Sequence, residues 1–154
     1  MNANQIKQFR NDLNWLINSP SLIVSIEEQI QVIGTLNSWL ESFGGKHAGF
    51  DIQPEEVKSI LKQVSTFKRL GHYAEYLFSY WVKTQPDIKL LDKGVQLVRA
   101  DGNTAGELDF LLSVAATPVH LEMAIKFYLM KDTQGKLSSF VGPNARDRFD
   151  RKYL

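Results

Sequence analysis

The spacing of apolar residues changes once along this chain, and that change sets the fold class. Up to Trp81 they recur at intervals of three and four, the period of a helix buried on one face. Beyond Gly94 they alternate with polar residues, the period of a strand. Ile6, Phe9, Leu13 and Leu16 mark a first helix closed by Pro20. Ser25 with Glu28 forms a capping box ahead of Ile30, Ile33, Leu36 and Leu40, and Gly44-Gly45 ends that second helix. Pro54 suits the first position of a third helix, with Glu55 and Glu56 near the positive end of its dipole and Val57, Ile60, Leu61 and Val64 toward the core. A fourth, about Arg69 to Lys83, carries Leu70, Tyr73, Ala74, Leu77 and Trp81 on one stripe.

After the change of period, "GVQLVRA" (94–100) reads as a strand and "DGN" (101–103) as turn chemistry. A second strand spans roughly Glu107 to Val114, "AATP" turns the chain, and a third runs from about Val119 to Leu129. "KDTQGK" and "GPN" are loop-like, and "ARDRFDRKYL" reads as a closing helix. Helices, then a three-strand meander, then a helix make an α/β (α+β) layer fold, with helices packed on a small, mainly antiparallel sheet. The expected organisation is a single domain over 1–154, with a helical region at 1–67 and the sheet-bearing core at 68–154. The closing helix meets Leu154 without a C-cap signal. The domain is therefore expected to lean on a further C-terminal segment or a second copy, with an unpaired sheet edge or an exposed apolar patch as the sign.

Composition narrows the partners. At 154 residues and 44% hydrophobic the chain is long enough for one sizeable core. Eighteen Lys and Arg against 17 Asp and Glu leave a formal charge of +1, so no global basic footprint announces nucleic acid. The absence of cysteine excludes disulfides and thiolate metal sites and fits a reducing, cytoplasmic setting. "MNANQIKQFRNDLNWL" is polar and mixed in charge, unlike a signal peptide, and charges interrupt the most apolar stretch, Gly106 to Leu129, which argues against a membrane span.

That apolar stretch also holds the chemistry. In strand two, Leu108, Phe110 and Leu112 point one way, and Glu107, Asp109 and Leu111 the other. In strand three, Leu121, Met123, Ile125, Phe127 and Leu129 share a face, and His120, Glu122, Ala124, Lys126 and Tyr128 share the opposite one. Pairing the apolar faces forces Asp109, Glu122 and Lys126 onto one common surface. Carboxylates on neighbouring strands, about 4.5–5.5 Å apart at Cβ when directly opposed and about 7–8 Å at Cα when diagonal, repel unless something sits between them. A hard cation such as Mg²⁺ relieves that repulsion, and a lysine on the same face can stabilise a phosphate oxygen or orient a water. The same pattern also reads as a Glu122–Lys126 surface ion pair on a strand with one wet face.

"RLGHYAEYLFSYW" (69–81), "GELDFLL" (106–112), "HLEMAIKFYL" (120–129) and "GPNARDRFDRK" (142–152) together resemble the domain of unknown function 1853 family of bacterial proteins, which is similar to the PD-(D/E)xK nuclease superfamily. The resemblance implies a restriction-endonuclease-like core and phosphodiester hydrolysis of DNA or RNA with Mg²⁺ or Mn²⁺. It makes Asp109 the principal metal ligand, Glu122 a second, Glu75 the helix glutamate that supports the metal, and Lys126 the lysine that orients water or stabilises the phosphorane. Two departures stand out. No proline precedes Asp109, and the position two after Glu122 is Ala124. Lys126 keeps the face but lies about 13 Å along an ideal strand from Glu122 rather than about 6.6 Å.

Outside that motif, Arg146, Arg148, Arg151 and Lys152 form the one basic cluster, interleaved with Asp147 and Asp150. From Lys131 to Leu154 there are six basic and three acidic residues, a local excess of +3. Such a helix suits phosphate contact, and equally a solvated face with intrahelical ion pairs. His72 and His120 have no partners at zinc-ligand spacing.

Overall fold

The computed structural model describes residues 3–19, 35–123, 125, 127–133, 136–142 and 147–152. Helix α1, Ala3–Asn18, buries Phe9, Leu13 and Ile17, about one residue per turn. Helix α2, Leu36–Ser42, begins at Thr35, whose Oγ1 accepts the Ser38 N–H at 3.1 Å and so satisfies one of the donors every helix start leaves open. The Ser25–Glu28 capping box lies outside the described residues. The glycine stop is present. Gly44 has φ +76°, and the N–H groups of Gly44 and Gly45 close on the carbonyls of Glu41 and Leu40.

Helix α3, Val57–Val64, starts three residues after Pro54, because residues 54–56 form a turn ahead of it. Helix α4, Leu70–Thr84, matches its expected bounds but not its expected stripe. Leu70 is exposed, whereas every residue from Leu77 to Val82 is buried, so this end of the helix is enclosed on all sides. Phe78 belongs to that core, where it packs on Phe110 with ring centroids 4.8 Å apart. Two tyrosines tie the helices together: Tyr73 donates to Asp12 of α1 at 2.8 Å, and Tyr80 donates to Glu56 at the head of α3 at 2.9 Å.

The sheet is an antiparallel meander of β1 (Ile88–Val98), β2 (Thr104–Val114) and β3 (Thr117–Leu121), in that spatial order. The helices pack on the face carrying Phe110, Leu112 and Val114, which join Phe9, Leu13, Leu40, Ile60 and Trp81 in one core. The first strand begins six residues before its expected start at Gly94, because the ladder slips between Leu90 and Asp92. That bulge breaks the alternation from which a strand is recognised. The β2–β3 hairpin closes Val114 on Thr117 through Ala115 and Ala116, both at positive φ (45° and 67°), the backbone a two-residue turn requires. Non-glycine residues adopt it at a cost of roughly 1–2 kcal/mol each. Ala115 is steadied by its N–H, which donates to Asp87 O at 2.8 Å.

The expectation of a third strand reaching Leu129 is corrected. Pairing stops at Leu121, and Glu122 and Met123 are irregular. Met123 and Ile125 are only partly buried, and Phe127 is 73% exposed instead of packing in the core. Leu129 and Met130 pair as strand β4 with Phe140 and Val141 as strand β5, in a separate two-stranded ladder. Met1–Met123 and Ala124–Leu154 form two compact units. In the second, Tyr128 and Phe140 each pack a ring on Phe149. The expected closing helix over 145–154 is also corrected. Arg148 forms a bridge to Val141, and its described continuation is one 3-10 turn, Phe149–Lys152. Among the described residues no helix is long and apolar enough to cross a membrane.

Candidate functional site

Asp109 and Glu122 lie on one face and opposite each other. The last ladder pair is Phe110 with Leu121, which places Asp109 and Glu122 one step beyond it, on the face opposite Phe110. There the two side chains replace the missing backbone partners. Asp109 Oδ2 accepts the Met123 N–H at 2.8 Å, and Glu122 Oε1 accepts the Asp109 N–H at 3.5 Å, the long limit of such a bond. Each carboxylate thus caps the other strand's backbone. This is the physical reason β3 ends early: a side-chain oxygen takes the N–H that the next ladder bond would use.

His120 completes the group. Its Nε2 lies 2.5 Å from Glu122 Oε1, and both side chains are about half exposed, at 43% and 56%. On an irregular continuation of β3, the Glu122 carboxylate reaches back to the imidazole two residues before it and forward to the neighbouring strand. Sequence alone places His120 on this face. The contact arises because the chain leaves the ladder at Glu122, a departure that alternation does not signal.

The remaining sequence candidates are distributed elsewhere. Glu75 is half-buried on α4, and its backbone carbonyl accepts the Ser79 hydroxyl at 2.7 Å. Among the described residues no three His, Asp or Glu side chains gather as a metal-binding group, so Glu75 is not clustered with Asp109 and Glu122. Lys126 and Arg146 lie outside the described residues, as does the side chain of Lys152. Arg148 grips Asp150 through Nε at 2.9 Å and through Nη2, a bidentate pair that holds the Asp150 carboxyl below the usual carboxylate range. Arg151 is exposed.

The chemistry of the pair suits a small hard cation. Asp109 Oδ1 and Glu122 Oε2 carry no hydrogen bond among the described residues, so each carboxylate keeps one oxygen after its capping role. Mg²⁺ is characteristically held by one or two carboxylates, with water and substrate phosphate filling the other positions. Two free anionic oxygens at the end of the β2–β3 ladder suit that requirement by their chemistry.

No curated protein and no solved structure matches the chain. A family model does, over residues 11–154, nearly the whole chain. This chain therefore belongs to the family described as Domain of unknown function (DUF1853).

Proposed function

We propose that this protein is a nuclease-like phosphodiesterase acting on DNA or RNA, with Asp109 and Glu122 holding Mg²⁺ or Mn²⁺. The observation that carries this reading is the interlocked pair, in which two carboxylates are fixed by each other's backbone and each retains one open oxygen. A divalent cation bound there would supply charge stabilisation at a phosphoryl oxygen. The protein's part is positioning: the capping bonds hold both carboxylates in place, and His120 orients Glu122. Lys126 is assigned the phosphate-facing cation, Glu75 the supporting acid, and Arg146, Arg148, Arg151 and Lys152 the contacts to the nucleic-acid backbone. The composition supports a cytoplasmic setting.

A second reading also has a specific observation behind it. The carboxylates already serve the fold as ladder caps, and Arg148 is already engaged by Asp150. A non-catalytic binding module that keeps the nuclease-like fold accounts for both. Asp109→Asn separates the two, because the amide oxygen still accepts the Met123 N–H while the charge is lost. Under the nuclease reading, Mn²⁺ raises the wild-type unfolding midpoint and supports cleavage of an oligonucleotide, and Asp109→Asn abolishes both effects with little loss of stability in chelator. If Mn²⁺ leaves the wild-type midpoint unmoved and the variant is merely less stable, the pair is structural and the nuclease reading fails.

A further inference from the structure

A larger local excess of charge than the C-terminal +3 lies on the corner between α3 and α4. Residues 57–74 carry Lys58, Lys62, Lys68 and Arg69 and no acidic residue. All four are exposed, and among the described residues none of them is in an ion pair. Lys58 and Lys62 stand four apart on α3 and so share its outer face, about 6 Å from each other. Beyond them the chain turns. There Lys68 and Arg69 line an open hollow of about 290 Å³ with Val64, Phe67, Leu70 and Tyr73.

The corner is tied by its own bonds. The Ser65 and Thr66 hydroxyls donate to the carbonyls of Lys62 and Gln63, each at 2.7 Å, and the Phe67 N–H donates to Val64 O at 3.3 Å. These bonds satisfy carbonyls that the end of α3 leaves open. Phe67 is half-buried, its ring centroid 6.1 Å from that of Tyr73 and 5.4 Å from that of Tyr76. Tyr73 is itself fixed by its hydroxyl, which donates to Asp12 at 2.8 Å. Asp12 also accepts from Gln8 at 2.6 Å, so this neighbouring acid is engaged by two donors. Arg69 stands at the N-cap of α4, and its guanidinium is a donor fork suited to phosphate.

Size and charge together choose the ligand. Pockets that enclose a small molecule span about 300–1,000 Å³, and this open hollow lies at the bottom of that range. It seats one flat group and leaves the rest of a ligand outside. Four unpaired cations call for several negative charges in a row, and a partly exposed aromatic ring calls for a flat partner to stack on it. Nucleic acid with unpaired bases supplies both. A duplex or an acidic peptide supplies the charges without the stacking face. We infer that the α3–α4 corner binds single-stranded nucleic acid, with one base on Phe67 in the hollow and neighbouring phosphates on Lys68, Arg69 and the Lys58–Lys62 row. The helices pack on the Phe110 face of the sheet, and Asp109 and Glu122 lie on the other, so this site is separate from the carboxylate pair. Binding here needs no metal, goes beyond the nuclease reading and does not depend on it.

The test is fluorescence anisotropy of a labelled oligothymidylate of about twelve nucleotides, titrated with the whole chain in chelator. Binding should saturate, and log affinity should fall against log salt with a slope of about −3, as four neutralised phosphates on a single strand require. The double variant Lys68→Gln/Arg69→Gln, at two exposed positions, should bind about tenfold more weakly and roughly halve that slope. An abasic oligomer of the same length keeps the phosphates and loses the stacking partner, and it should also bind about tenfold more weakly. The inference is overturned if the oligomer does not bind, or if the double variant or the abasic oligomer binds as well as the parent. It is equally overturned if a duplex of equal length, an acidic peptide or phosphatidylserine vesicles bind at least as tightly. Asp109→Asn should bind the oligomer as wild type does. Binding in chelator without any Mn²⁺-dependent cleavage would uphold this site and fail the nuclease reading, and cleavage without this binding would do the reverse.

Discussion

Phe110, Leu112 and Val114, on the inner half of β2, are at most 1% exposed, while Thr104, Ala105, Gly106 and Glu107, on its outer half, are all exposed. Both halves keep the same antiparallel ladder with β1. Hydrogen bonding therefore continues along the strand after burial has stopped, and the two halves owe their order to different forces. The inner half is held by packing under α4. The outer half is held by its ladder and by the turn beyond it, where Gly102 takes φ 83° and Asp101 accepts the Asn103 N–H at 3.0 Å. Asp109 and Glu122 sit at the boundary between the halves, fixed by the buried end and open to solvent on the other side.

The largest expected effect lies on the buried half. Phe110→Ala removes a ring that packs edge-on to Phe78 in the middle of the core, and it should cost about 3–5 kcal/mol in denaturant unfolding. The same variant checks the site, because Asp109 is the next residue. Under the proposed nuclease reading, and if packing at Phe110 holds the carboxylate pair in register, a destabilised but folded variant should also bind Mn²⁺ less tightly than wild type in a separate titration. A loss under about 1 kcal/mol would mean that burial of the inner half contributes far less than its depth implies.

This division also explains what could be read from sequence. Helices α1 and α3 were legible from their apolar stripes, α4 by its bounds though not its stripe, and the end of α2 from the glycines after Leu40. That Asp109 and Glu122 share a face was legible because matching the apolar faces fixes the parity of the hairpin, whereas their standing directly opposite each other was not. The early start of β1 was not, since the slip after Leu90 puts Leu91 out of phase. The early end of β3 was not either, since the Asp109 side chain, rather than any residue of β3 itself, takes the Met123 N–H. Phe127 misled for the same reason: alternation continues in the letters after the ladder has ended. "ARDRFDRKYL" reads as a closing helix, whereas Arg148 and Asp150 pair two residues apart, a spacing that does not face on a helix.

A middle-sized effect distinguishes the helices behind the inner half from the outer half by pH. Burial, and then the hydrogen bond to Asp12, raise the Tyr73 phenol well above its ordinary value. Burial, and then the bond to Glu56, do the same for Tyr80. Because the folded-state values lie above the unfolded one, these bonds contribute fully below about pH 10 and are lost as pH rises through the folded values. The stretch from Ile88 to Val114 contains no tyrosine. Alkaline unfolding above about pH 10 should therefore begin among the helices, and Tyr73→Phe should cost about 1 kcal/mol at neutral pH while flattening that alkaline slope. Hydrogen exchange that showed β1 and β2 opening before α1 and α4 at high pH would contradict this order.

The smallest effect is expected at the far end of the outer half. Val98 is 63% exposed and pairs with Thr104 just before the turn. Val98→Thr keeps the β-branched shape that the ladder favours and replaces one methyl with a hydroxyl, so the only term it removes is apolar burial. With so little burial to lose, stability should change by no more than about 0.5 kcal/mol. The measurement is worth making because its failure is informative. A loss above about 1 kcal/mol that grows with protein concentration would mean that Val98 and its exposed neighbour Leu97 are covered in solution by a second copy. The outer half would then be a packed surface like the inner half, with its partner supplied by another molecule, and the contrast between the two ends of β2 would belong to the isolated chain alone.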